Sequence, residues 1–406
     1  MATETRSPVS TSADGEKIAA IRAQLPAVHG RAYLNTGTNG PVPNRSHDAL
    51  FAYAETELRE GRIGPAVFGQ MMTTQVEARA AFARLLGCDP LEIALTHNTT
   101  EGMNIALFGL DWAPGDEVVS ATTEHPGGLH PLFVLKQRYG VKLRMTEIGL
   151  KEHDPVDQLR RVLTPRTKAV VLSHVSWGTG MVLPIRELAD LAHAAGALFI
   201  CDAAQACGMV PSRVYDLGVD AYACSGQKWL CGPNGTGALF VRQDRLADIA
   251  QTYIGYGGVK TAANGEKMSD DAGNFVPGEG AKRYEAASLY LPAVKALNDS
   301  LQWIGEEVGW DWAYRRIAEL GRYCYDRLAA LEGVTMHSPR EPLAGLIAFT
   351  LAGVAPPDLT TKLHERGVVI RYTPYPHVNR VAPGFYNTEE EIDRLAAALV
   401  EIRVGL

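Results

Sequence analysis

The chain has 406 residues, which is long enough for two domains of unequal size and a large buried core. It is 46% hydrophobic and 21% charged, as is usual for soluble globular proteins. The net charge is −7 and no basic tract is interleaved with aromatic residues, so nucleic acid is not an expected partner. No apolar run of about 18 residues is present, so we expect no membrane span.

Cysteine usage and the first residues bear on location. The six cysteines are sparse for this length and form no CxxC pair. This pattern favours reduced thiols in a cytoplasm over a disulfide framework. The opening MATETRSPVSTSADGEK is polar and lacks the apolar core of a signal peptide. We therefore expect a cytoplasmic protein.

The first part of the chain is predicted to be mainly helical. Residues 1–15 are rich in Ser, Thr and charge, which predicts a flexible tail. Helical periodicity follows at 16–25, 46–60 and 74–87. Between the first two of these helices, residues 33–43 are rich in glycine and proline and predict a loop.

From residue 91 onward, short apolar strands alternate with helices of about a dozen residues. The predicted strands are 91–96, 116–123, 168–177, 197–204 and 220–226. Such alternation predicts an α/β fold whose mostly parallel sheet is covered by helices on both faces. A further strand, parallel or antiparallel, is predicted at 235–242.

The pattern changes after about residue 260, where long helices and a second group of strands follow a polar loop. The predicted loop and helices are 262–280, 287–306, 310–332 and 388–404. We therefore predict a large domain over 16–285, whose N-terminal segment packs on a smaller α+β domain over 286–406.

The stretch THNTTEG (96–102) lies between a strand and a helix. Asn98 is suited to cap that helix, with Glu101 three residues later completing a capping box. The same helix start, with its free N–H groups and the hydroxyls of Thr99 and Thr100, also suits a phosphate group. This stretch alone does not decide between the two interpretations.

Two more stretches place reactive groups at strand ends. In ICDAAQACG, Asp202 ends an apolar strand and is either a helix cap or a functional carboxylate. In ACSGQKWLCGPNGTG, Lys228 follows another apolar strand, and a lysine enclosed by apolar neighbours has a lowered pKa and becomes a Schiff-base candidate. The three stretches together supply a phosphate cradle, an acid for a ring nitrogen and a nucleophilic amine, which points to pyridoxal phosphate (PLP).

The sequence resembles the fold-type I PLP enzymes of the class V aminotransferase and cysteine desulfurase superfamily. The resemblance extends from YLNTGTNGPVP to YNTEEEID. Within the superfamily it is most similar to the cystine and cysteine C–S lyases and to isopenicillin N epimerase-like proteins. The stretches that carry this likeness are LFGLDWAPGDEV, TEHPGG, LSHVSWGTGMVLP, DAAQACG, SGQKWLCGP and RYEAAS.

The resemblance implies roles for residues at matching positions. Lys228 forms the Schiff base with PLP, Asp202 pairs with the ring nitrogen, and Gln205 contacts the ring hydroxyl. His125 stacks on the ring, and Arg380 binds the substrate carboxylate. Further cofactor and substrate contacts are implied for Thr99, Thr100, Ser225, Gln227, Trp177 and Asn35. Ser288 is implied to reach the phosphate in the neighbouring subunit, which predicts a homodimer with shared active sites.

Two departures from the family pattern matter. Gln227 stands where the family usually has histidine, and its amide, unlike an imidazole, cannot titrate. The segment between Arg371 and Arg380 lacks the cysteine that desulfurases use as their persulfide carrier. His174 and His377 show no metal-ligand spacing, and no metal site is expected.

These parts favour C–S β-elimination on a cysteine-derived amino acid, with pyruvate and ammonia as end products. Epimerisation is the first alternative, followed by transamination and cysteine desulfuration. A non-catalytic PLP-binding protein is a hypothesis of another class. The combination of Lys228, Asp202 and Arg380 argues against it, because a scaffold needs none of the three.

Overall fold

Strands and helices alternate along most of the chain, and a computed structural model describes residues 12–262 and 265–405. The strands are β1 (Ala32–Tyr33), β2 (Ile93–Thr96), β3 (Glu117–Ala121), β4 (Lys142–Thr146), β5 (Thr167–Ser173), β6 (Leu198–Asp202), β7 (Ala221–Ser225), β8 (Gly237–Val241), β9 (Val334–Met336), β10 (Ile347–Leu351), β11 (Val368–Val369), β12 (Arg371–Pro374) and β13 (His377–Val381). The helices are α1 (Ser12–Ala23), α2 (Asn44–Glu60), α3 (Pro65–Leu86), α4 (Thr99–Phe108), α5 (Pro126–Tyr139), α6 (Pro155–Val162), α7 (Ile185–Ala194), α8 (Val214–Leu217), α9 (Leu291–Trp303), α10 (Trp310–Ala329), α11 (Pro356–Glu365) and α12 (Glu389–Val404).

A seven-stranded sheet forms the centre of the fold, with strand order β2-β8-β7-β6-β5-β3-β4. The five strands from β7 to β4 in this order pair in parallel, whereas β8 is antiparallel to both of its neighbours. Alternate residues of β5 enter two separate apolar clusters, Val170 and Leu172 in one, Ala169 and Val171 in the other. Because successive side chains of a strand point to opposite faces, both faces of the sheet are buried, as the apolar runs predicted.

A second, four-stranded antiparallel sheet of order β12-β13-β10-β9 lies in the C-terminal part. It packs with α10, α11 and α12 around a third apolar cluster. The short strand β1 pairs in parallel with β11, aligning Ala32 with Val368, so the N-terminal segment joins this part of the protein. The predicted α/β fold with a smaller α+β part is confirmed. The boundary at 285/286 stays a prediction.

Several element boundaries differ from those predicted. Of the tail predicted at 1–15, residues 1–11 lie outside the described residues and residues 12–15 belong to α1. Helix α3 begins at Pro65, whereas the sequence predicted a start at residue 74. The first turns of the helix carry exposed apolar side chains, which obscure the helical periodicity in the sequence. Strand β4 and helix α6 were not predicted, since KLRMT lacks a continuous apolar run and α6 is only 8 residues long.

The helix predicted from residue 287 begins at Leu291 instead. Pro292 occupies its first turn, and a proline disfavours helical backbone in the residues before it. Ser288 therefore lies in an exposed, non-helical segment. The predicted helix start at residue 287, which would have placed Ser288 in the first turn, was wrong. In the described part of the chain, no helix is both long and apolar enough to cross a membrane.

Candidate active site

A cavity of about 310 Å³ opens where the parallel strands end. Ligands of open α/β sheets bind beyond the carboxyl ends of the strands, and the residues that follow β2, β3, β5, β6 and β7 meet here. The lining residues are Gly37, Thr38, Asn98, Thr99, Thr100, His125, Trp177, Asp202, Ala204, Ser225, Gln227, Lys228 and Arg371. Eight residues predicted from the sequence are thus brought together.

One end of the cavity is formed by the start of α4. The Asn98 side chain accepts a hydrogen bond from the Glu101 N–H at 2.9 Å, which confirms it as the helix cap. The Glu101 carboxylate accepts from the N–H of His97 at 2.5 Å rather than from Asn98, so the reciprocal capping box is not formed. Thr99 Oγ1 lies 2.6 Å from Ser225 Oγ. Hydroxyl groups at a helix N-terminus are the donor set that suits a phosphate.

Asp202, the last residue of β6, is only 5% exposed. Its Oδ1 accepts a hydrogen bond from the Ala204 N–H at 2.9 Å. Burial raises the pKa of this carboxyl group, whereas the positive charge of Lys228 acts to lower it. A cationic partner in the cavity would therefore favour the ionised form, as a protonated pyridine nitrogen would.

Lys228 lies in the turn that follows β7. Burial lowers its pKa to about 8; Asp202 opposes this shift, and Arg380 and Arg371 add to it. A lysine of this pKa has an accessible neutral amine near physiological pH, as a nucleophile requires. The loop at 33–43 closes over this turn at Gly40, where a Cβ atom would lie 2.3 Å from the Lys228 carbonyl oxygen.

His125 caps α5 and lies at the cavity edge-on to Trp177, with ring centroids 5.0 Å apart. Its Nδ1 accepts a hydrogen bond from the Gly127 N–H at 3.0 Å, which assigns the ring proton to Nε2 in the neutral form. Burial, together with Lys228, Arg380 and Arg371, lowers the pKa of His125 to about 4. The ring is therefore neutral at physiological pH.

Four residues predicted for the site do not line the cavity. Arg380 is fully buried behind the wall and donates to the carbonyl oxygens of Trp177 and Gly37, at 3.1 Å each. Gln205 donates to the same Gly37 oxygen at 2.8 Å and accepts from Trp229 Nε1 at 3.0 Å. Both brace the wall rather than face the cavity.

The other two lie further off. Asn35 accepts a hydrogen bond from Thr38 Oγ1 at 2.7 Å and so supports a lining residue. Ser288 is exposed in the segment before α9. The functional roles of all four stay predictions.

The sequence had not assigned a role to Arg371, which lines the cavity directly. Its guanidinium donates to Thr38 Oγ1 at 3.3 Å and to the carbonyl of Tyr372 at 3.1 Å. Arg371 and Arg380 are register partners across the β12–β13 hairpin. In the sequence, the two arginines lie at equal distances from a Pro-containing turn, and this spacing is the signal that could have predicted their pairing across a hairpin.

The charges and one orphaned atom of the cavity fit a bound anionic cofactor. Lys228, Arg371 and Arg380 are cations, and Asp202 is the one carboxylate among the lining residues. The buried Oε1 of Gln227 has no hydrogen-bond partner within the described protein. A site with uncompensated cations and a hydroxyl-lined helix start suits a ligand that carries a phosphate and a carboxylate.

These features define a class of protein, the PLP enzymes built on a mostly parallel sheet. The profile of the family "Aminotransferase class-V" matches residues 41–395, and the chain belongs to this family. Isopenicillin N epimerase of Streptomyces clavuligerus is 30% identical over 381 residues, covering 90% of this chain and 93% of that protein. A probable cysteine desulfurase of Halalkalibacterium halodurans is 27% identical, covering 90% and 92% respectively.

Solved structures agree with these relatives. A C-DES variant with glycine covalently linked to its PLP cofactor has a TM-score of 0.88 and 30% identity, covering 94% of this chain and 99% of that one. The cystine C-S lyase C-DES in complex with its product cysteine persulfide has a TM-score of 0.87 and 30% identity, covering 93% and 99%. The predicted family, fold type and cofactor are confirmed, and the protein is a PLP enzyme.

Proposed function

We propose that the protein is a PLP-dependent lyase that expels a sulfur group from Cβ of a cysteine-derived amino acid. The observation that carries this proposal is the placement of Lys228 and Asp202 in one cavity without a cysteine in its lining. Asp202 would hold the ring nitrogen, and Thr99, Thr100 and Ser225 would hold the phosphate. His125 would cover the ring face, and Gln227 would complete the wall beside Lys228.

When bound, PLP supplies an electron sink that stabilises negative charge at Cα. The chain must then supply the base for the α-proton. Lys228 is suited to this because its lowered pKa leaves a neutral amine available. His125 is not, because its Nδ1 accepts the Gly127 N–H and its Nε2 carries the proton.

Epimerisation is the second candidate, and the 30% identity to isopenicillin N epimerase favours it. Inversion at Cα requires a proton to return to the opposite face of the substrate. Among the cavity-lining residues, Lys228 is the one amine, and the neutral His125 with a pKa of about 4 is a poor acid or base for such a return. A single base suits elimination better, because that reaction removes the α-proton without replacing it.

The substrate would be oriented by the arginine pair of the β12–β13 hairpin. Arg371 faces the cavity, and Arg380 lies directly behind the wall formed by Trp177 and Gly37. A guanidinium pairs with a carboxylate in a fixed, two-pronged geometry. We infer that the amino-acid carboxylate binds at Arg371, with Arg380 adding positive charge from behind the wall. Trp177 would form that wall, and Asn35 would support the lining residue Thr38.

A desulfurase mechanism needs a thiolate at the leaving sulfur. None of the six cysteines lines the cavity, and five of them are buried. Burial raises the pKa of Cys231 and of Cys324 to about 12, so these thiols are protonated and unreactive. A folded variant with all six cysteines replaced by Ser or Ala should retain turnover. Its loss with fold and cofactor intact would return the protein to the desulfurases.

The proposed reaction is tested with a panel of cystine, cysteine, cysteine S-conjugates and their sulfoxides. Elimination predicts release of pyruvate and ammonia together with a sulfur product, and Lys228→Ala serves as the matched inactive control. Incubation of the same amino acids in D2O, followed by NMR and chiral chromatography, reports epimerisation. Inversion at Cα without pyruvate would replace the lyase by the epimerase.

We further propose a homodimer, because large apolar side chains stay exposed on one group of neighbouring elements. On α2 and α3, Leu58 is 79% and Val76 58% exposed, and beyond them Tyr256 is 77% and Tyr290 60% exposed. These elements adjoin: a cavity of about 420 Å³ is lined by side chains of α3 and of residues 257–282. Exposed apolar area of this kind marks interaction surfaces, and we infer a second copy as its occupant.

Ser288 is exposed two residues before Tyr290 and does not line its own cavity. This supports a site that takes Lys228 and Ser288 from different chains. Mixing Lys228→Ala protomers with Ser288→Trp protomers should restore activity after subunit exchange, because the heterodimer holds one intact site. Absence of recovery although exchange is confirmed would show that Ser288 does not contribute to the partner's site.

A further inference from the structure

A second buried carboxyl group, that of Glu124, lies at the same edge of the sheet as Asp202, on the other side of β5. Glu124 follows β3, directly precedes His125 and is 5% exposed. Its Oε1 accepts a hydrogen bond from the Ser173 N–H at 2.8 Å, and its Oε2 contacts the Ser173 hydroxyl. Among the described residues, the groups that shift the pKa of this carboxyl are Ser173 and Asp202, and neither is a cation.

Ser173 connects the two carboxyl groups. It ends β5 and is the register partner of Asp202, which ends β6. The next residue, His174, donates its N–H to the Asp202 carbonyl at 3.0 Å. Strand β5 lies between β3 and β6, so the end of β5 links Glu124 on one side to Asp202 on the other, and neither can move away without breaking these hydrogen bonds.

Two buried carboxylates that flank one strand end are unfavourable, because each is desolvated and each repels the other. One of them must keep its proton. Lys228 faces Asp202 and favours its ionised form. Cys201, whose thiol is within electrostatic range of Glu124, is buried with a raised pKa, and His125, the next residue in the chain, is neutral, so neither compensates the charge.

We propose that Glu124 keeps the proton of this carboxyl pair and thereby leaves the negative charge on Asp202, opposite the cofactor ring nitrogen. Glu124 is a positioning residue. In the structure the Ser173 hydroxyl donates to its Oε2 and the Ser173 N–H to its Oε1; with the proton on Glu124 the first bond reverses, so that Oε2–H donates to Ser173 Oγ. These two bonds attach the segment that carries His125 to the end of β5. The inference rests on the proposed function in taking Asp202 as the partner of the ring nitrogen.

The test is difference infrared spectroscopy of the full-length holoenzyme, which detects the C=O stretch of a protonated carboxyl group. Burial, with Asp202 adding to it, raises the pKa of Glu124 to about 8. The band should therefore be present in slightly acidic buffer, disappear above that pKa, and be absent from Glu124→Gln. In Asp202→Asn the band should remain and titrate at lower pH, because the neighbouring negative charge is gone.

Glu117→Gln is the matched control, since Glu117 is a fully buried glutamate whose partners include arginines. It should remove no such band. A band that persists in Glu124→Gln, or vanishes in Asp202→Asn, would place the proton on Asp202 and overturn the proposal. If Glu124→Gln does not fold, Ser173→Ala keeps the test available. Loss of the hydroxyl acceptor should shift the same band, and an unshifted band would contradict the assignment.

Conservative variants distinguish the proposed role of Glu124 from a merely structural one. Glu124→Gln preserves a neutral side chain that hydrogen-bonds to Ser173, so it should reduce kcat near neutral pH only in part. Glu124→Asp has the same charge chemistry on a shorter side chain and should lose more. The infrared result does not depend on which substrate reacts. A failed substrate panel with the band present would therefore refute the lyase proposal and leave the proton assignment intact.

Discussion

The two ends of strand β3 carry glutamates in opposite electrostatic states. Glu117 begins the strand, and its buried carboxylate is bound by Arg144, Thr164 and Arg166, which together lower its pKa to about 2. Glu124 follows the other end, has no cationic partner among the described residues, and has a pKa raised to about 8. Both side chains are buried, so burial alone does not decide the sign of the shift.

The difference follows from what each edge of the sheet must do. At the amino edge, the charge of Glu117 is neutralised by arginines of the same chain. The carboxyl edge binds the ligand in open α/β folds, so its charges are left to be balanced by cofactor and substrate. Uncompensated titratable groups therefore accumulate at that edge, as is common in active sites.

The largest effect is expected from Lys228→Ala at the carboxyl edge. Without its amine the chain loses both the covalent attachment of PLP and the base, so turnover should be abolished. The measurement is absorbance of the purified protein before and after borohydride, with turnover assayed in parallel. A variant that keeps a visible absorbance bleached by borohydride would show that another lysine holds the cofactor.

Asp202→Asn should have the next largest effect. An amide cannot keep a pyridine nitrogen protonated, so loss of this electrostatic stabilisation should reduce kcat by roughly 100-fold or more. PLP should stay bound, as its absorbance and elution with the protein would report. Activity within a few fold of the parent would mean that another group holds the ring proton.

At the amino edge, Glu117→Gln should reduce stability and leave chemistry intact. It replaces hydrogen bonds between charged groups, and the expected loss in free energy of unfolding is about 1.5–3 kcal/mol. The arginines are partly exposed, 37% for Arg144 and 64% for Arg166, so water compensates some of the loss. Urea unfolding and kcat are measured together. A change in kcat at full PLP occupancy would show that the amino edge also affects the chemistry.

The sequence predicted functional residues at the carboxyl edge of the sheet but not the charge network at the amino edge. Asp202 and Lys228 were found because each follows an apolar strand, and parallel strands bring such residues together. The partners of Glu117 come from β4 and from the loop before β5, and β4 lacks the apolar run that would have predicted it. Contacts between distant segments depend on strand order, which local periodicity does not specify.

Glu124 and Arg371 were missed for a related reason. Glu124 in TEHPGG is an ordinary acidic residue by sequence, and its meaning arises only because β5 and β6 place Ser173 and Asp202 beside it. Arg371 becomes a cavity residue through its register with Arg380 across the hairpin. Conversely, Gln205 and Arg380 were placed in the cavity by resemblance, whereas their side chains hold the wall through Gly37.

The last prediction concerns how stability changes with pH at the two ends of β3. The pKa of Glu117 is lowered from 4.5 to about 2 in the folded protein, so its contribution is present above pH 4.5 and lost as pH falls. The pKa of Glu124 is raised from 4.5 to about 8. The folded state then binds more protons than the unfolded state, and stability falls as pH rises through that interval.

For Glu124 the slope is at most about 1.4 kcal/mol per pH unit, and Glu124→Gln should remove it. Urea unfolding of the holoenzyme and of this variant across the interval gives the difference in unfolding free energy, from which common effects of pH on cofactor binding cancel. The variant should gain on the parent as pH rises and show no further gain above about pH 8, where Glu124 is ionised in both states. A difference that is independent of pH would mean that Glu124 is already ionised in the folded protein, and the two ends of β3 would then be electrostatically alike.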